Sequence, residues 1–181
     1  GDGFHIKGIV QLAPTAEKKR HGKDYAVDNV DYLLIVGGRD TDIFTLEGKS
    51  VYDRVKFTDG KKHFKSLQYL YSATHSGFNS AWGTDWMVPY SFLLEQKGLM
   101  PSQAQRDATV LYVSHFLNAS LNGDSISTKA LADNRWLHTL LPPDYRLSSF
   151  RDSRFIEIGN TDSIAIEWPG DTAYSIDLSS R

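Results

Sequence analysis

Cysteine is absent from the 181 residues. That excludes disulfide scaffolds, Cys-based zinc sites, iron–sulfur clusters and thiol nucleophiles. It leaves the compartment open, because many secreted proteins lack disulfides; the reading leans to secretion. An excess of one charge is missing too. Lys and Arg number 20 against 22 Asp and Glu, a net charge of −2, so there is no electrostatic footprint for nucleic acid. No apolar run approaches the roughly 20 residues of a membrane span. The chain opens Gly1-Asp2-Gly3, with no initiator Met and no basic segment leading into an apolar stretch. It therefore reads as a processed product or an internal fragment, with no visible signal peptide.

What is present suits a packed core. Hydrophobic residues make up 40%, with 9 Phe, 9 Tyr and 4 Trp, which argues against wholesale disorder. Phe4 to Leu12 reads as a buried strand that ends at Ala13-Pro14. The charged stretch Glu17 to Asp28 reads as a solvated loop. Tyr32 to Val36 (YLLIV) is a continuous apolar run closed by Gly37-Gly38, as in a central strand covered on both faces. A helix is expected over Glu47 to Val55, a turn at Asp59-Gly60 and a strand over Leu67 to Tyr71. A helix is also expected from about Pro101. There Ser102 and Gln105 have the spacing of a capping box, Ala104, Ala108, Leu111, Tyr112, His115 and Phe116 form the apolar stripe, and Gly123 closes the helix.

This alternation predicts an α/β fold with a mostly parallel sheet and helices on both faces. After Pro142-Pro143 the pattern changes. Phe155–Ile158, Ser163–Trp168 and Ala173–Leu178 read as a small antiparallel meander. The chain thus divides into 1–148 and a short β appendage, 149–181.

Two loops hold the candidate chemistry. Gly37-Gly38-Arg39-Asp40-Thr41-Asp42-Ile43 follows the strand YLLIV, where open α/β sheets place their ligands. Either Asp suits a functional carboxylate, and both also suit an ordinary turn. Tyr71 to Asn79 follows the next strand and carries His75, the side-chain type best suited to proton transfer near neutral pH. A lone loop histidine is also a common polar surface residue. Acid then histidine, 35 residues apart, leaves room for one helix and one strand between them. With that order, a carboxylate can reach the imidazole and set its tautomer.

The segments YLLIVGGRDTDIFTLEGKSVYDRV and SLQYLYSATHSGFNSAW resemble the C-terminal half of the α/β-hydrolase family, most of all its bacterial esterase, lipase and polyester-depolymerase-like members. The resemblance covers about residues 6–122. It implies a partial α/β-hydrolase sheet and carboxylic-ester hydrolysis through a Ser–His–Asp triad. His75 would be the base, Asp40 or Asp42 the acid, and no cofactor would be needed. Trp82, Trp86 and Phe78 would line an acyl or aryl pocket for an ester or lipid-like small molecule, or equally pack a long loop.

The nucleophile elbow G-x-S-x-G is missing: Gly77–Ser80 has the wrong spacing, and Gly123–Ser127 ends in Ser after a helix. In the family the serine precedes the acid, so it is expected upstream of residue 1, and the chain alone is expected to be inactive. The alternative is a non-catalytic fragment or binding module that forms homo-oligomers or pairs with a complementary N-terminal fragment. His115 reads as a satisfied core histidine. His5, His21, His63 and His138 show no metal-ligand spacing, and no Gly-rich phosphate loop is present.

Overall fold

Seven consecutive buried residues, Asp31–Gly37, form strand β2, the hydrophobic spine of the sheet. An uninterrupted apolar run is stable as a strand only when both faces are covered. The computed structural model describes residues 5–15, 27–43, 46–83 and 98–155, with the backbone of strands at 163–166 and 174–177. β2 lies between β1 (Gly8–Leu12) and β3 (Phe64–Leu70), parallel to both. β4 (Arg146–Asp152) pairs antiparallel with β3, giving the order β1-β2-β3-β4. The fold is α/β, with a mixed sheet.

Alternate side chains of β2 feed two cores. Tyr32, Leu34 and Val36 pack with Val51 and Tyr52 of helix α1 (Glu47–Arg54). Leu33 and Ile35 pack on the opposite face with Tyr112 and Phe116 of helix α2 (Ser102–Asn122) and Leu131 of helix α3 (Ser125–Ala132). Helices therefore cover both faces, as the alternation predicts. Gly123 ends α2 in the left-handed region, φ 67°, and its N–H donates to the Ala119 carbonyl at 3.1 Å. The next residue, Asp124, caps α3 by accepting from the N–H groups of Ile126 and Ser127. The apolar pattern alone does not reveal α3, because its eight residues hold few large side chains.

Several boundaries differ from the sequence reading. β1 starts at Gly8, with residues 5–7 outside any strand and Phe4 outside the described residues, and β3 starts at Phe64 rather than Leu67. The early start of β3 admits Lys65, a residue that would normally break a buried pattern. Its ammonium group donates to the carbonyls of Tyr52 and Val55 at 2.8 and 2.9 Å, at the carboxyl end of α1. Cation and helix dipole favour each other there, so the charge is tolerated in the core.

β4 is hidden in sequence because RLSSFRD has no apolar run, yet it pairs with β3 over seven residues. The division at 148 falls inside it. Of the expected meander, Ser163–Ile166 (β5) and Tyr174–Asp177 (β6) form an antiparallel pair. Phe155 lies outside any strand, and residues 156–158 are outside the described set.

The buried tyrosines predict an alkaline limit to stability. Burial pushes the Tyr112 hydroxyl up to about 12, and burial likewise raises Tyr32 and Tyr52. The folded state holds these phenols neutral while the unfolded chain ionises near pH 10. Their stabilisation is complete below about pH 10 and is lost as pH rises through the folded values. The urea midpoint is expected to hold level up to about pH 10 and then to fall steeply towards pH 12. In Tyr112→Phe the fall should be shallower; an identical slope would contradict this assignment.

Candidate functional site

The two candidate loops leave adjacent parallel strands at their carboxyl ends, so they emerge side by side. They are also stitched together. The Gly38 N–H donates to the Leu70 carbonyl at 2.8 Å, and the Arg39 N–H to the Ala73 carbonyl at 2.9 Å. This approach requires glycine: a Cβ at Gly37 would lie 2.6 Å from the Ala73 oxygen, and one at Gly38 2.3 Å from the Tyr69 hydroxyl. The Gly-Gly pair thus lets the acid loop lie flat against the histidine loop.

On that platform, His75 Nδ1 and Asp40 Oδ2 are 2.9 Å apart. The Asp40 side chain is 4% exposed and the imidazole 19%. Asp40 is oriented from behind, since its Oδ1 accepts the N–H groups of Asp42 at 2.9 Å and Ile43 at 2.7 Å. Of the two candidate acids, Asp40 meets the imidazole, and the Asp42 backbone helps to aim it. A carboxylate on Nδ1 keeps a proton there and leaves Nε2 as the basic nitrogen. Asp42 precedes the apolar residue in the loop, which is why spacing alone left the choice open.

The histidine loop is fastened at nearly every residue. Tyr71 N–H donates to the Tyr145 carbonyl, and Ser72 N–H reaches the Asp144 carboxylate. Thr74 is bound at both its N–H and its carbonyl by the side chain of Gln105. His75 then precedes a 3-10 turn, Ser76–Phe78. The expected capping box does not form. α2 begins at Ser102, with Pro101 at the cap and no side-chain cap bond. Ser102 is therefore already helical, and Gln105, fully buried, turns inward to the loop instead.

Trp82 lies parallel to the imidazole, ring centroids 5.7 Å apart and planes 7° apart. His75, Trp82 and Phe78 share a cleft of about 360 Å³ with Leu12, Ala13, Thr15 and Asn79. Ala13 forms part of this wall with φ 43°, a conformation uncommon for a residue with a Cβ. Trp86 lies outside the described residues. A larger groove of about 670 Å³ lies on the α1 side of the sheet, with Asp40 and Tyr69 in its wall.

His115 lies on α2, away from this rim, with Nδ1 2.9 Å from the Ser127 hydroxyl. Among the described residues no three His, Asp or Glu converge on a possible metal position, and no helix is long and apolar enough to cross a membrane. Compared with known proteins, the chain matches no family model, no curated protein and no solved structure.

Proposed function

We propose that this chain supplies the acid and the base of a Ser–His–Asp carboxylic-ester hydrolase of α/β-hydrolase type. The observation that carries the reading is the 2.9 Å contact between Asp40 and His75 Nδ1, at the carboxyl ends of neighbouring parallel strands. In this reading His75 takes the proton of an incoming serine hydroxyl at Nε2 and later returns it to the leaving alcohol. Asp40 holds the tautomer and stabilises the imidazolium. Trp82 and Phe78 wall the cleft on which the imidazole opens and favour an apolar acyl or aryl group there.

The serine and the oxyanion donors come from outside residues 1–181, because no G-x-S-x-G occurs within them. β1 is the terminal strand of the sheet among the described residues, so a further strand carrying that serine has an edge on which to pair. No cofactor enters this chemistry.

The test uses p-nitrophenyl acyl esters and a fluorophosphonate probe. The 181-residue chain alone is expected neither to hydrolyse the ester nor to take the label. The product of the complete reading frame is expected to be labelled at a serine outside these residues and to lose turnover with His75→Ala. Hydrolysis that survives His75→Ala, or label on a serine within the chain, would overturn the assignment.

A further inference from the structure

We propose that Gln105 is the positioning residue of the His75–Asp40 pair: it clamps the backbone of Thr74, the residue before the imidazole, at both its N–H and its carbonyl and so sets the distance at which the ring meets the acid. The inference rests on the pairing read above and deepens it.

Gln105 is 0% exposed, in the first turn of α2. Its Oε1 accepts the Thr74 N–H at 3.1 Å, and its Nε2 donates to the Thr74 carbonyl at 2.8 Å. A primary amide that meets both polar groups of one residue reproduces the pairing of a β-ladder and fixes the backbone in place and in rotation. Thr74 is the last residue before His75, so the clamp acts on the imidazole's own backbone.

Three further contacts hold the clamp. The segment entering α2 is tied to the same loop by the Met100 N–H, which donates to the Ser72 carbonyl at 2.9 Å. Gly77 passes directly beneath the amide, where a Cβ would lie 2.2 Å from Gln105 Oε1. The Gly77 N–H donates in turn to the Thr74 hydroxyl at 3.2 Å. The amide, the glycine below it and the turn carrying His75 therefore form one interlocked unit. A side chain that served only the core would not place both ends of its amide on a single loop residue. Burial makes the arrangement costly to disturb, since any replacement leaves polar groups of Thr74 unpaired.

The experiment reads the hydrogen bond itself, by proton NMR of the 181-residue chain with 15N-labelled histidine. The parent is expected to show a low-field imidazole Nδ1–H resonance that disappears in His75→Ala. Gln105→Leu is expected to lose this resonance to solvent exchange while the far-ultraviolet circular dichroism is retained. Gly77→Ala displaces the amide from the opposite side and is expected to cause the same loss. Gln105→Glu keeps an acceptor for the Thr74 N–H but sets oxygen against the Thr74 carbonyl; it is expected to weaken the resonance.

In the complete hydrolase, Gln105→Leu should lower kcat with KM unchanged. A folded Gln105→Leu or Gly77→Ala protein with the resonance at parental intensity would overturn the positioning role, leaving the pairing intact. A parent with no such resonance would overturn the pairing itself. Because the measurement needs no ester, absence of hydrolysis does not bear on it.

Discussion

On the proposed function, Asp40→Asn in the product of the complete reading frame is expected to lower kcat for ester hydrolysis by about four orders of magnitude, the scale of loss when a triad aspartate becomes its amide. The local geometry decides how the new side chain sits. Asp40 Oδ1 is held by two backbone donors, the N–H groups of Asp42 and Ile43. An asparagine keeps its oxygen at those donors, because turning its NH2 towards them would set donor against donor. The NH2 therefore faces His75 Nδ1, where the carboxylate Oδ2 lay.

A donor at that position requires Nδ1 to accept, which moves the imidazole proton to Nε2 and removes the base. The fold should barely change, since the substitution is isosteric and every backbone bond to Oδ1 survives. The check is a kcat measurement beside a thermal melt, with Asp42→Asn as the comparison. Asp42 serves Asp40 through its backbone N–H, so its substitution is expected to leave turnover near the parental rate. An Asp40→Asn enzyme within about tenfold of the parent would remove Asp40 from the proton relay.

The largest expected loss of stability falls at Phe64. It is the first residue of β3, 7% exposed, and its ring meets Phe116 of α2 edge-on and Phe150 of β4 face-on, both at 5.6 Å between centroids. The Phe64 N–H also donates to buried Asp31 at 3.1 Å, and the Ser120 hydroxyl donates to the same carboxylate at 2.6 Å. One side chain thus joins the parallel sheet, the antiparallel edge strand and the long helix.

Phe64→Ala removes the ring from between two others that cannot close the gap without shifting their own elements. A cost of about 3–5 kcal/mol is expected, against total stabilities on the order of 5–15 kcal/mol for such domains. Urea unfolding should show a lower midpoint at an unchanged slope. Val110→Ala, on the exposed side of α2 (64% exposed), is expected to stay within about 0.5 kcal/mol. Equal effects of the two substitutions would place the core elsewhere.

Particular residues explain how much of this was legible beforehand. YLLIV reads correctly as a central strand because a run without polar residues has no other place to go. Gly123 reads correctly as a helix end because the left-handed cap suits glycine. RLSSFRD gives no warning of β4, since its pairing is made by backbone bonds to β3, which depend little on side-chain type. Lys65 hides the start of β3, because its partners are carbonyls of α1, ten or more residues earlier. Gln105 misleads: S-x-x-Q reads as a local cap, and only its long-range partner at Thr74 shows otherwise.

Sequence by itself determined the α/β alternation and the order of acid and histidine, because hydrophobic period and residue chemistry are local properties of a chain. The tertiary structure alone decided that Asp40 rather than Asp42 meets the imidazole, that Gly37 and Gly38 bring the two loops together, and that Gln105 faces the loop rather than its own helix end. Those outcomes depend on distances of a few ångströms between residues some 30 to 35 positions apart. Such distances are set by strand register and by the packing of α2 on the sheet, and no stretch of sequence encodes them alone.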